Sequence, residues 1–152
     1  MKNIIKNTRL AALLGAVLLV AGCSSMGMKH EVPTSMAMGA GAYLSGANEV
    51  PANASTATGS STVWVASNKT VTGKVNVSGL KPTAAHIHMA AAGANGPVIL
   101  PLTKMSDEQF AVPDGATLTD AQYASYMAGN LYVNVHSAAH PGGELRVQLS
   151  PN

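Results

Sequence analysis

Short runs in which apolar and polar residues alternate fill the chain from Tyr43 onward, and they limit the folds open to it. In residues 71–78, small or apolar side chains alternate with polar ones, the period-two pattern of a half-buried strand. Gly, Asn, Pro and Ser separate the runs, and we predict strands at residues 41–45, 60–66, 71–78, 84–89, 98–103, 109–112, 131–137 and 144–149. Many short strands at this spacing predict an all-β fold, either an antiparallel sandwich or a barrel.

Two local signals complete the predicted secondary structure. One short helix is expected from Thr119 to about residue 128, because Thr119 suits an N-cap, Asp120 suits the first turn, and Gly129-Asn130 is a stop signal. Residues 67–69, Ser-Asn-Lys, predict a hairpin turn between the second and third strands.

The first 22 residues have the composition of a secretory signal. Lys2, Lys6 and Arg9 form a basic start, and residues 10–21 follow without a charge. A membrane-spanning helix needs about 20 apolar residues to cross roughly 30 Å of hydrocarbon. The 12 residues of this run are therefore too short for a stable anchor and have the length of a signal-peptide core.

The end of this segment, Leu19-Val20-Ala21-Gly22-Cys23, resembles the bacterial lipobox. The resemblance implies cleavage before Cys23 and attachment of lipid to its thiol, and several acyl chains on one residue anchor a protein stably. Ser24, in place of Asp, implies transfer to the outer membrane, so we expect a lipid-anchored protein of the cell envelope. An ordinary secretory signal with a chance cysteine is the alternative.

Removal of the signal changes what composition implies. The formal charge of +2 depends on the three basic residues of the signal, and six basic residues then face seven acidic ones. A nearly neutral chain gives no reason to expect nucleic-acid binding. Cys23 is the only cysteine, which excludes an internal disulfide and any cysteine-based metal cluster. We therefore expect one domain, residues 41–150, stabilised by its core alone.

Residues 23–40 predict a flexible tether that is rich in methionine and follows the lipidated cysteine. Met26, Met28, Met36 and Met38 lie close to His30 in this segment. Thioether sulfur is a soft ligand that suits copper(I). The other interpretation is that these methionines have no function and arose by drift in a linker whose composition is not under selection.

Four of the five histidines form two groups within the predicted domain. His86 and His88 are two apart on one predicted strand, so they share a face, and His136 is expected to point outward from another. Neutral imidazole binds copper and zinc well, and copper(II) is bound most tightly in the divalent series. His86, His88 and His136 are therefore candidate metal ligands, and His140, in a turn-like segment, is a less favourable one.

Other roles remain open for these histidines. In the alternative interpretation, their imidazoles donate hydrogen bonds to loop carbonyl groups and thereby fix the Gly-rich segments nearby. We expect no hydrolytic site, because Ser137 is adjacent to His136 in sequence and faces the other side of the strand.

Five ordered blocks, at residues 44–51, 85–88, 93–98, 129–137 and 141–146, resemble the CHRD (chordin-type) domain over about residues 41–149. The resemblance implies an immunoglobulin-like antiparallel β-sandwich with no settled activity among bacterial members. The family usually has Gly after the final Arg, whereas this chain has Val147. The His-X-His strand is also similar to the copper ligands of copper/zinc superoxide dismutase, an analogy of fold and motif.

Three functional hypotheses follow. The first is a lipid-anchored CHRD-like binding module, not an enzyme, with a copper or zinc site and a protein partner that the sequence does not identify. The second is an enzyme of the superoxide dismutase type, which needs a positive group such as Arg146 or Lys81 near the metal. The third is a structural or adhesion lipoprotein without metal. Glu144 and Arg146 are expected to form a structural pair on one face, with Glu49 a buried partner for Arg146 or a histidine.

Overall fold

The alternating runs form two antiparallel sheets and a two-stranded ribbon in the computed structural model, which describes residues 41–151. The predicted signal, Cys23 and the tether lie outside the described residues. The strands are β1 (Ala42–Leu44), β2 (Thr58–Ser61), β3 (Trp64–Val65), β4 (Val71–Thr72), β5 (Lys74–Ser78), β6 (Pro82–Met89), β7 (Val98–Pro101), β8 (Thr103–Lys104), β9 (Gln109–Ala111), β10 (Leu131–Ser137) and β11 (Leu145–Gln148).

Sheet 1 has the strand order β1-β2-β5-β9-β8, and sheet 2 has the order β11-β10-β6-β7. Strands β3 and β4 form the ribbon. One α-helix, α1 (Asp120–Met127), lies between β9 and β10 in the chain, and a 3₁₀ turn covers Gly46–Asn48. The prediction of an all-β antiparallel sandwich with one short helix is confirmed. Within residues 41–151, no helix is long and apolar enough to cross a membrane.

One hydrophobic cluster joins the inner faces of the two sheets. Val75 and Phe110 from sheet 1 belong to the same buried cluster as Ile87, Val133 and Val135 from sheet 2, and each is at most 1 % exposed. Burial of apolar area contributes roughly 25 cal/mol per Å² to stability. Since side chains alternate along a strand, this core fixes which residues of sheet 2 face outward.

The ends of the helix and the hairpin follow the predicted local chemistry. Thr119 accepts a hydrogen bond from the backbone of Gln122, whose side chain accepts one in return from the backbone N–H of Thr119. This reciprocal capping box fixes the start of α1. The predicted turn at residues 67–69 joins β3 to β4, with Lys69 in the left-handed region at φ 71°.

Three predicted strands are each divided in two, because the chain passes between sheets inside them. Residues 98–103 supply β7 to sheet 2 and β8 to sheet 1, with only Leu102 between them. Residues 71–78 divide at Gly73, which has φ 125° and lies so near the backbone of Thr62 that a Cβ would meet its oxygen at 2.4 Å. Residues 60–66 divide in the same way between β2 and β3.

Candidate metal centre

Strand pairing brings the three predicted histidines together on the outer face of sheet 2. His86 and His88 alternate with the buried Ile87 on β6, and β10 pairs antiparallel with that strand. In this register Asn134 lies opposite His86, and His136 lies opposite Ala84, one step diagonally from His86. The ring centroids of His86 and His136 are 4.9 Å apart, and the other two pairs are 5.6 Å and 6.0 Å apart.

The three side chains form a group that could hold a metal ion. One nitrogen from each of His86, His88 and His136 lies within 4.8 Å of the other two. His140 is not a member of this group. Its backbone closes the turn after β10, because its N–H donates to Ser137 Oγ and its carbonyl accepts from Gly143 N.

Two backbone carbonyl groups orient the imidazoles. His88 Nδ1 lies 2.9 Å from the oxygen of Gly96, and His136 Nδ1 lies 3.0 Å from the oxygen of Pro141. A carbonyl oxygen only accepts hydrogen bonds, so both Nδ1 atoms carry the proton and donate. The Nε2 atoms of these two rings therefore keep their lone pairs for a ligand, the arrangement typical of metal-binding histidines.

The third imidazole faces the second directly. His86 Nδ1 lies 3.0 Å from His136 Nε2. Because His136 Nε2 is the acceptor, His86 Nδ1 is the donor of this hydrogen bond. Ligation through His88 Nε2 and His136 Nε2 needs no change of tautomer, whereas ligation through His86 Nδ1 requires its proton to move to Nε2.

His88 Nε2 is buried without a hydrogen-bond partner, and the His88 side chain is only 8 % exposed. A buried polar atom left unpaired costs about 1 to 3 kcal/mol. Such an atom in a folded protein calls for a physical explanation, and a cation within the cluster would supply the missing interaction.

The cluster favours neutral imidazole. Burial is the main cause that lowers the pKa of His86, His88 and His136 below the usual 6.5. Repulsion from the neighbouring imidazoles lowers the pKa of His86 further, and His136 and Arg146 act in the same way on His88. The neutral ring is the form that binds a metal.

Tyr132 and Arg146 form a stack behind His88. Tyr132 was not predicted as part of the site, and Arg146 was expected there only as the positive group of the dismutase hypothesis. The rings of Tyr132 and His88 are nearly parallel, at 11°, with centroids 4.8 Å apart. The guanidinium carbon of Arg146 lies 3.5 Å from the centroid of the Tyr132 ring. The alternation that places His136 outward on β10 also places Tyr132 there, and this was the signal available in the sequence.

The predicted pair of Glu144 and Arg146 does not form. Glu144 precedes β11, so strand alternation does not place it beside Arg146, and its carboxylate accepts a hydrogen bond from Ser55 Oγ at 2.6 Å. The guanidinium of Arg146 donates instead to the oxygens of residues 91, 94, 95 and 148. Within residues 41–151 no ion pair joins Glu144 to Arg146.

Glu49 lies near Arg146 but forms no ion pair with it. The side-chain amide of Asn134 is its hydrogen-bond partner. Its carboxylate accepts a hydrogen bond of 2.6 Å from Asn134 Nδ2. Burial raises the pKa of Glu49 to about 7, although the charge of Arg146 acts in the opposite direction. Asn134 lies on the outer face of sheet 2, but the segments that carry Glu49 and Gly143 cover it, and it is 2 % exposed.

The arrangement of Arg146 bears on the dismutase hypothesis. That hypothesis requires a positive group that a small anion can reach. Arg146 is 2 % exposed and its guanidinium is committed to Tyr132 and to neutral oxygens. It is therefore not available as a surface site for an anion.

By its fold and its cluster, the protein belongs to the class of all-β sandwich domains. Three imidazoles lie on the outer face of its sheet 2, next to the loops that carry Gly96 and Pro141. Residues 40–149 match the model of the CHRD domain, and the chain belongs to that family. Membership supports the interpretation of the domain as a binding module. No curated protein and no solved structure matches the chain.

Proposed function

We propose that the protein is an exported, membrane-anchored lipoprotein whose CHRD domain binds copper or zinc through His86, His88 and His136. The observation that carries the proposal is the buried and unpartnered Nε2 of His88, which belongs to a cluster with two other imidazoles. Lipid on Cys23 would hold this domain at the outer membrane, and the lipobox-like sequence supports that part of the proposal.

The distances are compatible with one ion after the imidazoles rotate toward each other. Imidazole nitrogen lies about 2.0 to 2.1 Å from zinc, so at trigonal or tetrahedral angles two ligands of one ion are about 3.3 to 3.6 Å apart. His86 Nδ1 and His136 Nε2, at 3.0 Å, are already this close. The widest pair is no more than 4.8 Å apart and needs to close by up to about 1.5 Å to reach this spacing.

A purely structural role explains less of the geometry. Hydrogen bonds to Gly96 and Pro141 account for one nitrogen each of His88 and His136. They leave His88 Nε2 without a partner, whereas a metal ion would engage it together with the other two rings. We also propose a binding role in preference to catalysis, because Arg146, one of the two cations named for the dismutase hypothesis, is buried and committed to other partners.

The experiment is a calorimetric titration of the full-length chain, purified in detergent and stripped of metal, with copper(II) and zinc(II). The expected result is one tight site per chain that is lost in His86→Ala and in His88→Ala. His140→Ala is the matched control, because this histidine follows β10 but lies outside the cluster. Binding that persists unchanged in both cluster variants would refute the site.

A further inference from the structure

We propose that the three-histidine cluster selects copper(I) over copper(II) and zinc(II), and that the buried guanidinium of Arg146 determines this preference. The inference rests on the proposed metal function and adds the oxidation state of the ion. It follows from the charge that the fold places behind His88 and from the absence of a carboxylate among the three ligands.

Arg146 carries a buried positive charge with only neutral hydrogen-bond partners. Its nitrogens donate to the carbonyl oxygens of Ala91 and Ala94 and to the side-chain oxygens of Asn95 and Gln148, at 2.9 to 3.4 Å. Within the described residues, the two ion pairs join Lys69 to Asp120 and Lys104 to Asp107, so neither involves Arg146. A charge that is shielded from water acts more strongly on its surroundings than an exposed one.

This charge lies one aromatic ring away from a ligand. The guanidinium contacts one face of Tyr132, and the ring of His88 is stacked nearly parallel to that of Tyr132. Repulsion between Arg146 and a metal ion is proportional to the charge of the ion. The repulsion energy between Arg146 and a divalent ion is therefore twice that of a monovalent ion at the same place.

The ligands do not offset this penalty. The group formed by His86, His88 and His136 contains no carboxylate, so the site contributes no negative charge to neutralise a divalent ion. Three neutral imidazoles are sufficient for copper(I), which accepts a coordination number of three. The sequence supplies an independent argument for copper(I), because residues 26–38 contain four methionines, whose thioethers suit this ion.

The test compares the affinities of the full-length chain for three ions. Copper(I) is titrated under anaerobic, reducing conditions against a chromophoric copper(I) chelator, and copper(II) and zinc(II) are titrated against chelators of their own. The His86→Ala variant measures binding by the methionines and by Cys23 and supplies the background to be subtracted. The expected Kd for copper(I) is at least tenfold lower than the Kd for either divalent ion.

The role of Arg146 is tested by two variants. In Arg146→Gln we expect the ratio of copper(I) to copper(II) affinity to fall at least tenfold, which corresponds to about 59 mV in the reduction potential of a one-electron couple. Arg146→Lys keeps the positive charge and should retain most of the ratio. Thermal unfolding of each variant establishes that it is folded, and the unmodified protein tests the preference for copper(I) without any substitution.

The outcomes separate this inference from the proposed function. If the unmodified chain binds copper(II) or zinc(II) more tightly than copper(I), the metal function stands and the preference is refuted. An unchanged affinity ratio in folded Arg146→Gln refutes the role of Arg146. Failure of all three ions to bind above the background of His86→Ala refutes both proposals.

Discussion

His86 Nδ1 and His136 Nε2 lie 3.0 Å apart, although 50 residues separate them in the chain. Antiparallel pairing of β6 with β10 creates this contact, and the apolar residues that alternate with the histidines fix its register. A metal that took both nitrogens would replace the hydrogen bond between the rings. His86 would then carry its proton on Nε2.

We expect bound metal to raise the thermal stability of the protein. A ligand that binds only the folded state, at 100 times its Kd, adds about 2.7 kcal/mol to the free energy of unfolding. Thermal unfolding with and without copper or zinc measures the effect, and a chelator should reverse it. His88→Ala should show no shift and His140→Ala a full one, so equal shifts in the two variants would contradict the prediction.

Substitution of Gly96 should weaken the site without removing a ligand. A Cβ at Gly96 would lie 1.9 Å from the carbonyl oxygen of Met89, so the segment must move and carry with it the carbonyl that orients His88. We expect Gly96→Ala to cost about 1 to 3 kcal/mol of stability through overpacking. Metal affinity should fall roughly 10- to 100-fold, as it does when the partner of a ligand is lost. Both are measured by denaturation and titration.

Gly142→Ala is the matched control for this change. A Cβ at Gly142 meets nothing within 4 Å, and Gly142 is not among the glycines with positive φ. Its stability and its metal affinity should remain near those of the unmodified protein. If Gly96→Ala behaves in the same way as Gly142→Ala, the carbonyl of Gly96 does not orient His88.

Glu49 should make stability depend on pH. Its pKa is about 7 in the folded protein against 4.5 as the ordinary value, so the folded state binds more protons than the unfolded state between these values. The free energy of unfolding that Glu49 contributes therefore falls as pH rises from about 4.5 to about 7. Glu49→Gln removes this contribution, and denaturation at pH 5 and pH 8 measures it as the difference between the two proteins.

The histidines change the free energy of unfolding with pH in the opposite direction to Glu49. The comparison with Glu49→Gln is needed because it isolates the contribution of Glu49 from theirs. Their pKa values are lowered on folding, so the unfolded state binds more protons below about 6.5 and their contribution rises with pH. Asn134 and Arg146, the side chains that act on Glu49, are unchanged in the variant. A difference between the two proteins that is constant or grows from pH 5 to pH 8 would contradict the assignment.

Cys23→Ser should release the protein from the membrane fraction. The prediction follows from lipid attachment at the only thiol of the chain, since one residue with several acyl chains provides the stable anchor. Incorporation of labelled palmitate measures attachment, and fractionation measures location. Ser24→Ala is the control and should still incorporate label. Label retained in Cys23→Ser would show that another residue carries the lipid.

The alternation of side chains predicted the faces that the three histidines occupy, but not that β6 and β10 are neighbours. The positions of His86, His88 and His136 relative to Ile87, Val133 and Val135 determined which face they occupy, and the neighbouring strands then brought them together. Alternation also predicted the core and most strand positions, because a half-buried sheet requires it.

The surroundings of the cluster depend on loops, whose paths are not set by periodicity. Segments near Glu49 and Gly143 cover Asn134, which alternation alone would leave in solvent. Likewise, the carbonyl of Gly96 reaches His88 only because residues 90–97 fold back over sheet 2. The transfer of the chain between sheets at Leu102 was missed for a related reason, since residues 98–103 read as one continuous apolar run.

The use of main-chain oxygens from Gly96 and Pro141 to orient His88 and His136 has an evolutionary consequence. Every amino acid supplies the same oxygen, so neighbouring positions are free to diversify as long as the path of the backbone is kept. Among related chains, we expect the three imidazoles and Gly96 to persist while the exposed positions around them vary widely. A designer who wishes to retarget this surface could therefore change residues 91, 92 and 94, keep Gly93 at its φ of 78°, and leave the coordination chemistry intact.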